Sequence, residues 1–359
     1  MRALEAEFAE VLGVRCCLAT NSGTSALHIA LAAAGIGPGD EVIIPALSFV
    51  ATAQAVLQQG ATPVFADIDA TTYNVDPAEV AARITPRTRA IVPVHLHGLP
   101  ADMDAVNALA RGRGLCVIED AAQAHGALYR GQPVGRLGAM AAFSLNSTKN
   151  LPAGEGGLFV TSSEELYARA ARVRFDGLEP PAKWDALRPL DAEADSLATV
   201  RGWMYLPGEL TCAVARSQLG RLAATTRRGQ RNAARLTARL RALPGVEPPL
   251  VPPDRTHVFH KYRVRLDPER AGLRLPTVVL RDRLLEGLRA EGVEAVLWQT
   301  VPLPFHPLFS CGETYPRTVA VLDGSLVLGS QSYPLFAQPA RVVDAWADGF
   351  EKVWNRLRS

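Results

Sequence analysis

The stretch "FSLNSTKNLPAGEGG", Phe143 to Gly157, places one lysine between small hydroxyl residues and a glycine-rich turn. A lysine on a solvated face is the ordinary case. Lys149, however, follows an apolar strand and Ser144 and precedes "GEGG", where a backbone can come close to a ligand. A lysine kept partly out of water has a lowered pKa, forms Schiff bases with carbonyl compounds and moves protons. A second feature is "LCVIEDAAQAHGA", in which a β-branched strand ends on an acid pair followed by Gln123. Asp120 there either caps the next helix or holds a cationic group of a ligand lying over the strand ends. The third is "ATNSGTSALHIAL": a strand ends, Gly23 permits a tight turn, and the amides around Thr24 and Ser25 open a helix. Helix N-termini bind phosphate through such amides, although Gly-Thr-Ser is also an ordinary cap.

Phosphate cradle, acid and lysine together specify pyridoxal 5'-phosphate. Asp120 pairs with the pyridinium nitrogen and keeps the ring an electron sink, while Lys149 bonds the aldehyde carbon. His95 and His97 are expected on one strand face with His125 nearby. No third acidic ligand stands at zinc spacing, so these histidines are expected to line the cofactor cleft and not to bind a metal.

The elements that must position these residues follow from the pattern around them. From Arg15 to about Thr161, runs such as "DEVIIPA", "TPVFADID", "AIVPVHLHG" and "GLFVTS" alternate with helix-like segments. This predicts an α/β domain with a mostly parallel sheet buried on both faces, and such sheets bind ligands beyond the carboxyl ends of their strands. "GLEPPAKWDALRPLDAEAD", residues 177–195, reads as a long surface loop, and Glu209 to Leu243 as a helix. "HKYRVRL" reads as an alternating strand, and "ARVVDAWADGFEKVWNRLR" as a closing amphipathic helix. The expected organisation is a large cofactor-binding domain, 1–235, and a smaller C-terminal α+β domain, 236–359.

Composition bounds the partners. The 359 residues carry a formal net charge of +2 and are 48% hydrophobic, enough for two packed cores. No long basic run marks a nucleic-acid or anionic-lipid surface, so neither nucleic acid nor membrane is an expected partner. The five cysteines lack the paired spacing of a zinc site or disulfide framework, which suits a reducing cytoplasm. "MRALEAEFAEVLGV" reads as an acid-bearing amphipathic helix and not as a signal peptide.

Four stretches carry a likeness: "NSGTSALHIALAAAGIGPGDEVIIPALSFVATAQAV", "FADIDATTYNVDP", "VIEDAAQAHGALYRG" and "FSLNSTKNLPAGEGGLFVT". Through them the sequence resembles the DegT/DnrJ/StrS family of sugar and aminocyclitol aminotransferases, of the aspartate aminotransferase fold, type I. The resemblance implies that Lys149 is the Schiff-base lysine and the acid/base, and that Asp120 pairs with the ring nitrogen. Gln123 would meet the ring face or phenolic oxygen; Ser144, Thr24 and Ser25 would hold the phosphate. Phe49 would stack on the ring, where by itself a Phe after "PALS" is more often core. A homodimer with the cofactor near its interface is also implied.

The family carries an asparagine that crosses the dimer interface to the partner's phosphate, and Met204 occupies that place. A thioether cannot donate that hydrogen bond. Arg201 is a candidate substitute, and Pro207 and Gly208 also depart from the pattern. The chain begins almost at the family's first helix, here "LEAEFA", so the expectation is either a start further upstream or a more open pocket. Relatives that deoxygenate sugars through the pyridoxamine form have histidine where this chain has Lys149. The expected function is therefore amino transfer from an amino acid, glutamate or glutamine, to a keto sugar, cyclitol or related natural-product intermediate. The alternatives are a lyase or substitution enzyme of the same fold and a non-catalytic regulatory protein.

Overall fold

The computed structural model describes residues 1–178, 198–309 and 312–359. The loop expected over 177–195 lies, beyond its first two residues, outside them. Strands in chain order are β1 (Cys16–Thr20), β2 (Glu41–Pro45), β3 (Thr62–Ala66), β4 (Thr88–Ile91), β5 (Cys116–Asp120), β6 (Leu128–Tyr129), β7 (Gln132–Pro133), β8 (Met140–Ser144) and β9 (Gly157–Thr161). They are followed by β10 (Val246–Glu247), β11 (Tyr262–Leu266), β12 (Ala295–Val296) and β13 (Ser325–Leu328).

The large sheet has the order β1-β9-β8-β5-β4-β2-β3. β2, β3, β4, β5 and β8 pair in parallel, and β9 runs antiparallel between β1 and β8. Every residue of β2, β8 and β9 is buried, as a sheet covered on both faces requires. The helix Gly23–Ala33 covers one face, and eight of its side chains are buried. Its alanines allow close approach to the sheet, and Gly35 ends the turn beyond it at φ 75°.

The second sheet, β10-β11-β13-β12, is antiparallel throughout. The helices Thr277–Ala290 and Ala340–Arg358 bury Leu280, Leu284, Leu288, Trp346, Phe350 and Trp354 in its core. The single helix expected from Glu209 to Leu243 is in fact two, Glu209–Leu219 and Leu222–Leu240, separated at Gly220. Helix-like composition runs through the break, and the low helix propensity of Gly220 is the signal against it. Leu222 enters the first unit's core, whereas Ala233, Leu236 and Leu240 enter the second's. Asp67, just after β3, ties the units together: its carboxylate accepts from the Arg317 and Thr318 amides at 3.0 Å and from the Thr318 hydroxyl at 2.6 Å.

Candidate active site

A cleft of about 370 Å³ lies beyond the carboxyl ends of β1, β2, β5 and β8. Gly23, Thr24, Phe49, Asp120, Gln123, Ser144 and Lys149 all line it, so the fold brings together side chains from four separate strand–loop junctions. Ser25 is placed differently. It is buried, its hydroxyl donates to Asn21 Oδ1 at 2.6 Å, and its amide is capped by the Ser22 hydroxyl at 3.0 Å. Ser22, which no sequence pattern singles out, is both the helix N-cap and part of the lining.

Gly23 has a requirement beyond turn geometry. A Cβ there would stand 2.8 Å from Ser144 Cβ, so the helix start and the end of β8 meet only because the side chain is missing. The last two glycines of the "GEGG" run pack against the chain itself. Gly156 takes φ 127°, and a Cβ on Gly157 would fall 2.3 Å from the Ser22 carbonyl oxygen. These glycines press β9 onto the segment that opens the helix.

The Asp120 carboxylate is buried and accepts from the Thr52 hydroxyl at 2.7 Å and from the Ala122 amide at 3.2 Å. Thr52 is in turn 2.8 Å from the Ser48 hydroxyl. Burial raises the Asp120 pKa above the usual carboxylate range, against the opposing effect of those hydrogen bonds and the Lys149 charge. A positively charged ring nitrogen is the partner such a carboxylate lacks. Burial lowers the Lys149 pKa, with Asp120 opposing it, and Lys149 forms no salt bridge among the described residues. A lysine less costly to deprotonate, a buried acid without a cationic hydrogen-bond partner and a helix start lining the same cleft fit pyridoxal phosphate.

Gln123 lines the cleft while its Oε1 accepts from the His97 amide at 2.8 Å, which fixes the side chain. Phe49 is half-exposed at the cleft wall, outside the core. Thr52, Ser48, Trp298, His260 and Lys261 also line the cleft, and the sequence did not mark them as site residues. Ser48 and Thr52 flank Phe49, whereas Trp298, His260 and Lys261 come from distant parts of the chain, and local pattern carried no site signal for any of the five.

The histidines are not where a strand reading put them. β4 ends at Ile91, and His97 lies in a 3-10 turn at φ 59°. Nor do His95, His97 or His125 line the cleft; they are packed behind it. His95 donates to Glu119 Oε2 at 2.9 Å and accepts from the Ala101 amide at 3.0 Å, while His97 Nε2 accepts from Arg263 at 3.0 Å. Val94 still bridges Asp120 in parallel, but the 3-10 turn Leu96–Gly98 turns the chain immediately after His95, so no two-residue strand period relates His95 to His97. Met204 and Arg201 are exposed and lie outside this cleft.

Two buried histidines, His125 and His257, set an acid limit to stability. Burial holds both His125 and His257 down to about 3, with the Lys149 charge adding to the effect at His125. The unfolded chain protonates them near the ordinary histidine value of 6.5, so the unfolded state binds more protons as pH falls below that value. Stability is full above about 6.5 and is lost progressively toward 3, by up to about 1.4 kcal/mol per pH unit per histidine. Urea unfolding between pH 7 and pH 5, before carboxylates titrate, is expected to show a falling midpoint, with a shallower fall in His257→Gln.

The parallel sheet, the cleft at its strand ends and the lysine–acid–helix-start set define a pyridoxal-phosphate-dependent transferase of fold type I. The chain belongs to the DegT/DnrJ/EryC1/StrS aminotransferase family, whose family model matches residues 1–337. It is 40% identical over 292 residues to the GDP-perosamine synthase of Caulobacter vibrioides, covering 81% of this chain and 74% of that one. It is also 40% identical over 302 residues to the UDP-N-acetyl-3-dehydro-alpha-D-glucosamine 3-aminotransferase of Acidithiobacillus ferrooxidans, covering 84% and 74%. Among solved structures, S. venezuelae DesV in complex with a ketimine intermediate superposes with a TM-score of 0.84 at 35% identity, covering 98% of this chain and 89% of that one. The protein is accordingly an aminotransferase, a transferase of nitrogenous groups that uses pyridoxal phosphate.

Proposed function

We propose that this protein transfers an amino group from glutamate or glutamine to a keto sugar, cyclitol or related intermediate, with a nucleotide-linked keto sugar as the leading acceptor. The observation that carries the reading is Lys149 and Asp120 facing one cleft with the start of the helix Gly23–Ala33. The names of the two relatives, each joined to a nucleotide sugar, support the acceptor class.

Bound pyridoxal phosphate supplies an electron sink for negative charge on the carbon that bears the amine. Gly23, Thr24 and Ser144 would hold its phosphate, Asp120 its ring nitrogen, and Phe49 and Gln123 the ring and its phenolic oxygen. Ser25 serves by fixing Ser22 and Asn21. Lys149 Nζ would hold the cofactor at rest and, once free, would serve as the base for the proton on the amine-bearing carbon and as the acid that returns a proton. Burial lowers the cost of the neutral amine that bonding the cofactor and accepting the first proton need, and the ammonium formed by that acceptance is what would donate in the second transfer. The keto product leaves before the acceptor enters, so the kinetics are ping-pong.

Our reading further includes division into domains 1–235 and 236–359, supported by the C-terminal core built on the second sheet, while Leu303, Phe309 and Tyr315 of the C-terminal part pack into the core of the large sheet. It also includes a homodimer in the cytoplasm. Leu210 and Val214, one turn apart on the helix Glu209–Leu219, are exposed, an apolar face that suits pairing, and Met204 is exposed as well. No helix among the described residues is long and apolar enough to cross a membrane.

The test is the visible spectrum of the cofactor-loaded protein. L-glutamate or L-glutamine is expected to bleach its absorption, and a keto sugar to restore it. A spectrum unchanged by both donors would overturn the donor assignment, and product release without a carbonyl acceptor would place the chain with the lyases.

A further inference from the structure

We propose that Lys261 anchors a carboxylate carried close to the reacting carbon of the substrate. The inference rests on the aminotransferase reading of the same cleft and deepens it by naming an acidic group as what the cleft recognises.

Lys261 lines the cleft although the residue is only 5% exposed, and it has no salt bridge among the described residues. The acids of the lining are committed elsewhere: Asp120 receives Thr52 and the Ala122 amide, and Glu155 accepts from Asn146 at 2.8 Å. A buried ammonium with no acid of its own is costly unless an anion arrives to pair with it. Burial and the nearby Lys149 bring its pKa down to about 8, which leaves most of it charged at neutral pH.

Its position is built. The Lys261 amide donates to the His97 carbonyl at 3.3 Å, and the Val258 amide to the Gly98 carbonyl at 3.0 Å. Asn150, next to Lys149, donates to the Val258 carbonyl at 3.1 Å and meets the His260 ring at 3.2 Å. Phe259 takes a left-handed φ of 51° just before these residues, a conformation that must be held by its surroundings. Gly98 is essential to the seat, because a Cβ there would lie 2.6 Å from Val258 Cγ2. The segment carrying Lys261 is thus bonded to the segment carrying Lys149.

Composition adds a second signal. Against 38 lysines and arginines in all, the lysines are Lys149, Lys183, Lys261 and Lys352, and two of these face one cleft. A chain that otherwise uses arginine has a compact point charge here, which suits a carboxylate held at a confined place. An amino acid donor presents a carboxylate bonded to the carbon that reacts; a neutral sugar does not, whereas an acidic sugar carries one further along its ring.

The experiment is calorimetric titration of pyridoxal-phosphate-loaded protein with 2-oxoglutarate and with D-glucuronate, in wild type, Lys261→Met and Lys261→Arg. The expected result is about tenfold to a hundredfold weaker binding of at least one acid in Lys261→Met, with binding largely retained in Lys261→Arg and cofactor affinity of the apoprotein unchanged. A loss for 2-oxoglutarate assigns the carboxylate to the donor; a loss confined to D-glucuronate assigns it to an acidic acceptor. Equal binding by wild type and Lys261→Met overturns the anchor, as does weaker binding of the cofactor itself, which would place Lys261 on the cofactor. Borohydride trapping separates the two levels: a protein that traps its cofactor on Lys149 yet is indifferent to Lys261 loses only this inference. A protein that traps none loses the reading beneath it.

Discussion

Lys149→Ala is expected to lower turnover by at least about a hundredfold to ten-thousandfold, the span that a positioned acid/base contributes by itself. No other described lining residue has Lys149's combination of a pKa lowered by burial, opposition from Asp120 and a place at the end of β8. The lysine is asked to do two things, so the variant fails in two measurable ways. Borohydride reduction followed by peptide mapping finds the cofactor on Lys149 in wild type and on no residue in the variant. Transfer of the label to Lys261, the other lysine in the cleft, would reverse the roles assigned to the two. Near-normal turnover in Lys149→Ala would remove the mechanism altogether. Because the side chain is partly buried and unpaired, its loss leaves no stranded acid other than Asp120, and the variant is expected to fold.

Asp120→Asn is expected to cost about a hundred- to a thousandfold in turnover, comparable to removing a preorganised electrostatic group from a reaction centre. Asparagine keeps the shape, but it cannot supply the negative charge that holds a proton on a ring nitrogen. The fold responds in the opposite direction. Since burial raises the Asp120 pKa, its ionised form opposes folding above the ordinary carboxylate pKa, and a neutral isostere relieves that penalty. Apoprotein thermal stability of Asp120→Asn is therefore expected to equal or exceed wild type at pH 7, while turnover falls. Thr52→Val removes a donor and leaves the charge, so its effect on turnover is expected to be smaller. Unchanged turnover in Asp120→Asn would reduce Asp120 to the cap of the turn at Ala122.

Both variants change residues that local sequence pattern alone makes conspicuous. Lys149, Asp120 and Gly23 each sit where a buried strand gives way to a turn, and a strand of four or five mostly apolar residues is a local pattern. The parallel sheet followed from the same runs, and with it the rule that ligands lie beyond the strand ends. What a residue does there depends on neighbours that local pattern cannot name. Ser25 and Thr24 stand side by side, yet Asn21 and Ser22 turn one inward while the other faces the cleft. His95 and His97 looked like cleft lining and are instead props behind it, because Glu119 and Arg263 reach them from other strands.

Strand periodicity, glycine turns and the lysine–acid–helix-start order determined the class of the chain, since each is written into a few consecutive residues. Tertiary structure decided which of those residues share a cleft, brought Thr52 to Asp120, and set Lys261 beside Lys149 through Asn150. The reason is physical: propensity and patterning act over one element, whereas burial, charge and hydrogen-bond partners are settled only when distant elements pack against one another.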